Sequence, residues 1–321
     1  MAACDRAIGS GELTGRALAL AYSNRGVEWM ARGDMTRAIA DYDQAIQHDA
    51  SQAATFYNRA IARAGKREFD KAIADYDEAI RLNPKYAVAL GRRGLTYFST
   101  GDHDRAIADY DQSIRLAPDA INLNNRGNAY ASRGEFDRAI RDFDEAVTLD
   151  PRYAIAFYNR GNAYYAKGDP DRAIRDYDQA LAIDPKYQDV LVNRGVAHER
   201  KGRLDQAIRD YDEAIKLDPK DPVAFNNRGN ALLKEGQTVR AISDYDQSIK
   251  LHDKQVSVYF SRAIALENRR QYVAAVIDYD QVIKLQPTNA AAWNSRCWSR
   301  AVMGQLQPAL SDCNEALRLR H

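Results

Sequence analysis

Arginine and aspartate recur in this chain at a fixed offset. Arg25, Arg59, Arg93, Arg126, Arg160, Arg194, Arg228, Arg262 and Arg296 are followed, sixteen residues later in each case, by Asp41, Asp75, Asp109, Asp142, Asp176, Asp210, Asp244, Asp278 and Asp312. A guanidinium is a planar fork of donors that matches a carboxylate, and neither group leaves water cheaply without a partner. The chemistry on offer is ion pairing, not turnover. One residue before six of these arginines stands an asparagine: Asn24, Asn58, Asn125, Asn159, Asn193 and Asn227. A primary amide carries both donor and acceptor, so it can pair with the peptide group of an extended chain.

Catalytic chemistry has no comparable footing. His48, His103, His198, His252 and His321 share no face and accompany neither a nucleophile nor a metal-ligand spacing. His198 stands where a packing tyrosine is expected and reads as core. No glycine-rich phosphate loop is present. The chain is therefore read as not an enzyme, with no metal site and no cofactor. Cys297 and Cys313 are also sixteen residues apart. Reduced packing and a disulfide both fit that spacing, and reduced packing is the preferred reading.

These residues ride on a longer phrase. Gly26, Ala60, Gly94, Gly127, Gly161, Gly195, Gly229, Ala263 and Cys297 fall in register at steps of 34 residues, with one step of 33 between Gly94 and Gly127. Such a period marks a solenoid of stacked supersecondary units. The implied boundaries are a partial repeat and loop over 1–18, then nine repeats: 19–52, 53–86, 87–119, 120–153, 154–187, 188–221, 222–255, 256–289 and 290–321. With the glycine in slot 8, slots 4, 8 and 11 of repeat five are Phe157, Gly161 and Tyr164, a helical stripe. Slots 20, 21, 24, 27 and 28 are Ala173, Ile174, Tyr177, Ala180 and Leu181, a second one. Lys167-Gly168-Asp169 turns between them, and Asp184-Pro185 ends the second helix. The predicted fold is all-α, each repeat a hairpin of two helices too short to stand alone. Slot 20 is alanine in every repeat and slot 24 is aromatic in eight, so small meets large in the core.

This pattern resembles the tetratricopeptide repeat family: aromatic at slot 4, Gly at 8, Tyr at 11, Ala at 20, aromatic at 24, Ala at 27 and Pro at 32. The match runs from Ala19 to the C-terminus. It implies a right-handed superhelical solenoid whose first helices line a concave groove with slots 2, 5, 6, 9, 12 and 13. The slot-7 arginine departs from the family, where that slot is usually apolar. Both it and the slot-23 aspartate adjoin core positions. A ladder of Arg–Asp pairs bridging first and second helices is expected, setting register. The rival pairing is local, slot 23 with a basic residue at slot 19, such as Asp176 with Arg172. The slot-25 aspartates are expected to form i, i+4 pairs on the outer face: Asp77–Arg81, Asp111–Arg115, Asp212–Lys216, Asp246–Lys250 and Asp280–Lys284.

The slot-6 asparagines resemble the ladder inside the superhelix of O-linked N-acetylglucosamine transferase. Asn125, Asn159, Asn193 and Asn227 make the longest unbroken run, thickened at slot 9 by Asn128, Asn162 and Asn230, and Arg92 interrupts it. Tyr57, Tyr158, Tyr165, Phe260 and Trp298 are expected to line the groove, with specificity following Tyr158, Tyr165 and Phe260, which differ from repeat to repeat. The competing reading is that the asparagines bond locally or hydrate the surface. Slot 5 holds no lysine, so the family's carboxylate clamp for chaperone tails is not expected.

Charge is balanced, 46 Lys plus Arg against 45 Asp plus Glu, which argues against a nucleic-acid partner. Apolar runs such as Ala17–Tyr22 are too short for a membrane span. Cys4-Asp5-Arg6-Ala7-Ile8 matches slots 24–28, so the chain is expected to begin inside a repeat, with upstream sequence such as a targeting signal missing. The cytoplasm is the default location, the periplasm if such a signal was removed. The expected function is a noncatalytic scaffold holding a protein or peptide in the groove. The rivals are a self-assembly module, including a homodimer through terminal repeats, and the accessory array of a larger enzyme.

Overall fold

The computed structural model describes residues 1–320; His321 lies outside them. Among the described residues there are nineteen α-helices and no strand. They fall into two compact units, one of Met1–Ala163 and one from Tyr164 onward. The first holds α1 (Ala2–Gly9), α2 (Gly15–Ala31), α3 (Met35–His48), α4 (Ala53–Gly65), α5 (Phe69–Leu82), α6 (Ala87–Ser99), α7 (His103–Leu116), α8 (Ala120–Ser132) and α9 (Phe136–Leu149). The division falls within α10 (Ala154–Ala166). The second holds α11 (Pro170–Ile183), α12 (Gln188–Arg200), α13 (Leu204–Leu217), α14 (Pro222–Lys234) and α15 (Thr238–Leu251). It continues with α16 (Val256–Asn268), α17 (Tyr272–Leu285), α18 (Ala290–Val302) and α19 (Leu306–Arg318).

Within each unit, consecutive helices pack as hairpins and each hairpin packs on the next. Three second helices, α3, α7 and α11, start on side-chain caps: Asp34 accepts from the backbone N–H of Arg37, Asp102 from that of Arg105 and Asp169 from that of Arg172. The slot-19 arginines fold back onto the same caps, Arg105 on Asp102 and Arg172 on Asp169, both at 2.5 Å. That geometry takes them away from slot 23.

All nine slot-20 alanines are buried, as are the slot-24 rings. Burial pushes the Tyr42 phenol up to about 12. These rings explain the glycines at slot 8. A Cβ added at Gly26 would lie 2.6 Å from Tyr42, and one at Gly127 2.6 Å from Phe143. In repeat nine, where cysteines replace both partners, the same approach leaves their Cα atoms 5.4 Å apart and the two are joined as a disulfide. The preferred reading of reduced packing is thereby corrected: slots close enough for a ring over a bare backbone are close enough for a bond.

The turn between the helices of a hairpin needs a left-handed residue. Gly101 and Gly134 supply it at φ 83° and 76°, whereas Arg67 and Arg270 stand in the equivalent position at 61° and 59°. No helix among the described residues is long and apolar enough to cross a membrane.

Candidate binding surface

Adjacent slots on the first helices behave in opposite ways. Slot 7 is saturated. Arg25, Arg59, Arg93 and Arg126 in the first unit, and Arg194, Arg228, Arg262 and Arg296 in the second, each donate from Nε and Nη2 to both oxygens of their own repeat's slot-23 aspartate. These bonds run from 2.6 to 2.9 Å. The aspartates are buried, Asp176 among them. Asp142's hydrogen bonds hold the Arg126 guanidinium above its ordinary pKa despite its partial burial.

The third nitrogen, Nη1, reaches the slot-25 aspartate of the preceding repeat: Asp43 from Arg59, Asp77 from Arg93, Asp111 from Arg126 and Asp144 from Arg160. Asp178, Asp212, Asp246 and Asp280 serve Arg194, Arg228, Arg262 and Arg296 in the same way. Asp5 of α1 takes this part for Arg25 at 3.0 Å. This corrects the expected outer-face pairs. Asp77, Asp111, Asp212, Asp246 and Asp280 face the next hairpin, while Arg81 turns to Glu78 and Lys216 to Glu213. A guanidinium already fixed by two bonds presents its third donor with no further ordering cost, which a flexible i+4 side chain cannot match.

Several slot-6 side chains of the first unit are unspent by comparison. In the first unit the side chains of Asn24 and Asn58 make no hydrogen bond to another described residue, and that of Asn125 has only a 3.5 Å contact from Asn124. Arg92, in the same slot of repeat three, is exposed and forms no ion pair with a described residue. Asn159 differs. Its Nδ2 donates to the Oδ1 of buried Asn124 at 2.8 Å, the local bonding held open above. In the second unit Asn193 and Asn227 are half-buried, with a 3.5 Å contact from Asn226 to Asn227.

Among the slot-9 amides, Asn128, Asn162 and Asn230 are all half-buried, and Asn230 accepts a hydrogen bond from the Tyr245 hydroxyl at 2.9 Å. Two of the expected groove aromatics pack against neighbouring rings. Tyr57 lies 5.1 Å from Tyr86 and 6.1 Å from Tyr76, ring centre to ring centre, and Phe260 lies 5.7 Å from Tyr279. Tyr158 is half-buried, Tyr165 carries the Arg200 guanidinium on its face, and Trp298 is half exposed beside Tyr272.

One feature escaped the residue-by-residue reading. A cavity of about 340 Å³ lies between α6 and α8, with Gly91 and Arg92 on one side and Ile121 and Asn122 on the other. Its signals were the single 33-residue step and the glycine at slot 5.

Profiles of the tetratricopeptide repeat match residues 57–121 and 158–222, 127–168, and 210–243. No curated protein matches the chain. Among solved structures it is similar to pilF of Pseudomonas aeruginosa: 26% identity over 62% of this chain and 91% of that one, TM-score 0.56. The C-terminal part of a repeat-containing protein from Cytophaga hutchinsonii matches at 17% identity, 74% and 98% coverage and TM-score 0.61. A chain of the Cut9–Hcn1 hetero-tetramer matches at 15% identity, 96% and 75% coverage and TM-score 0.55. The last two show likeness of fold alone.

Proposed function

Because the chain belongs to the tetratricopeptide repeat family, whose members generally mediate protein–protein interaction, we propose that it is a noncatalytic scaffold holding an extended peptide or partner surface against its first helices. The observation that carries this reading is the contrast between slots 6 and 7 of the first unit. The arginines of slot 7 have their donors taken up by carboxylates. Asn24, Asn58, Arg92 and Asn125, one residue earlier, keep hydrogen-bonding capacity at one-repeat intervals. A fold that spent every polar group on itself would leave no such row.

The test is selection of peptides on the immobilised full chain from a random display library, followed by affinity measurement. Each asparagine-to-alanine change should weaken binding modestly, by about 0.5–1.5 kcal/mol. Asn24→Ala, Asn58→Ala, Arg92→Ala and Asn125→Ala together should abolish micromolar binding while the helical circular dichroism stays unchanged. Selected peptides that bind the quadruple variant as well as the parent would overturn the proposal.

A second reading, self-association, has one specific observation behind it. Leu306, Leu310 and Leu317 of α19 are more than half exposed, whereas Ile107, in the slot equivalent to Leu310, is buried. Sedimentation of the parent against Leu310→Lys separates the two readings: a shift from dimer to monomer supports self-association, and a monomeric parent rejects it.

A further inference from the structure

We propose that the cavity between α6 and α8 is a pocket for a large apolar side chain, aromatic by preference, of a bound peptide whose neighbouring carboxylate is held by Arg92. The proposal rests on the groove reading above and gives its first unit a definite ligand chemistry.

The cavity exists because repeat three departs from repeat two at places that converge on one spot. In repeat two, slot 5 is Tyr57 and the last residue of the repeat is Tyr86, and their rings stack at 5.1 Å and fill the corner between successive first helices. In repeat three the equivalent residues are Gly91 and Asp119, the repeat being one residue short. Two rings are missing, and the space they leave is the cavity of about 340 Å³, within the size range of ligand pockets. Its walls are mainly apolar: Val88, Leu95 and Ile121 line it, with Val88 and Ile121 more than half exposed.

Within the wall, Ser113, Asp119 and Asn122 bond to one another or to backbone. Buried Ser113 donates to the Ala87 carbonyl at 2.8 Å. Asn122 donates from Nδ2 to Ser113 at 3.0 Å and to Asp119 at 2.6 Å, and Asp119 also accepts from the Asn122 backbone. Asn122 takes slot 3, an apolar residue or threonine in every other repeat, and its Oδ1 sits where a Cβ on Gly91 would approach to 2.5 Å. The wall is therefore built around the bare backbone of Gly91 and leaves an apolar side chain little to desolvate.

Arg92 supplies the remaining preference. Its neighbour Arg93 is bound to Asp77 and Asp109, but Arg92 forms no ion pair with a described residue and lines the same cavity as Asn125. Slot 6 is neutral in all other repeats, so this is the one place in the row where a carboxylate gains a charge-assisted partner.

The experiment is nitrogen-edited NMR titration of the full-length chain with two probes: hydrocinnamate, which is a phenyl ring with a carboxylate and no peptide backbone, and a Gly/Ser peptide carrying one Phe-Glu pair. Both should shift the amides of Gly91, Leu95 and Ile121. Arg92→Gln should weaken each probe by about tenfold, the scale of a lost charge-assisted bond. Gly91→Tyr combined with Asn122→Ala, which returns both slots to residues other repeats hold, should abolish the shifts without unfolding the chain.

Hydrocinnamate binding at these amides with the peptide binding no tighter would uphold the pocket and count against the groove reading. Peptide shifts along Asn24 and Asn58 that skip Gly91 would overturn the pocket and leave the groove. Shifts that survive the double substitution, or no shifts with either probe, would also overturn the pocket.

Discussion

Arg59 binds both oxygens of Asp75, through Nε at 2.9 Å and Nη2 at 2.6 Å, and with its remaining nitrogen reaches Asp43 of the preceding hairpin at 2.6 Å. One side chain thus closes its own hairpin and ties it to its neighbour. The arrangement recurs along both units, and its cost of removal is the first quantity to measure.

Arg126→Ala leaves Asp142, which is buried, without its partner, and breaking such a pair costs roughly 3–5 kcal/mol. Arg126→Lys keeps the charge but loses the two-pronged fit, so it should fall between parent and alanine variant. Arg115→Ala, on the outer face, should change stability by less than about 0.5 kcal/mol. Urea unfolding followed by circular dichroism checks the order, and equal midpoints for Arg126→Ala and Arg115→Ala would refute it.

Arg270 holds the left-handed turn that glycine holds in most repeats, at φ 59°. A side chain there costs about 1–2 kcal/mol relative to glycine, partly offset by glycine's greater freedom when unfolded. Arg270→Gly should raise the thermal midpoint of the second unit. The same change at Lys167, which immediately precedes a turn glycine, should lower it.

The Cys297–Cys313 bond closes a loop of sixteen residues, and loops of that size stabilise by about 3 kcal/mol. Reductant should lower the melting temperature of the parent and leave the Cys297→Gly, Cys313→Tyr double variant untouched, since that pair restores the bare backbone and ring of other repeats. Thiol counting before and after reduction measures the bond directly.

His198 should make the second unit sensitive to acid. It is buried, with Nε2 3.9 Å from Asp210 and Nδ1 without a hydrogen-bond partner. Burial lowers its pKa, against the attraction of Asp210. The folded state then resists protonation more than the unfolded chain does. The unfolded state binds more protons below about pH 6.5, and stability falls as pH drops through that point. Between about pH 7.5 and 5.5 the parent should lose more stability than His198→Leu, leucine being what Leu232 supplies one repeat later. Parallel pH profiles would remove histidine from the explanation.

Periodic features were readable from residue order because repetition averages out local accidents. Hairpins, turn glycines and the sixteen-residue Arg–Asp spacing all fall in this class. What escaped depended on relations between repeats. Asp77 sits four residues from Arg81 on one helix, yet its bond is to Arg93 on the next hairpin, which one-helix reasoning does not consider. Asn159 looked like its fellow rungs, but its bond depends on Asn124 in the aperiodic slot 5. Asn230 accepts a hydrogen bond from the Tyr245 hydroxyl, a relation between helices that its slot alone does not announce. The cavity beside Gly91 is made by what repeat three lacks, and an absence leaves no motif.

The shortened repeat also separates two properties that could have been bound together. Arg126 and Asp111 lie fifteen residues apart in sequence instead of the sixteen found at the other junctions between repeats two to nine and their predecessors, yet their bond is 2.7 Å, as at Arg228 and Asp212. Losing a residue therefore remade the exposed lining at that junction while the coupling between hairpins kept its usual form. A chain built this way can vary one junction at a time in search of new ligands, with its mechanical continuity carried by residues that do not take part in the search.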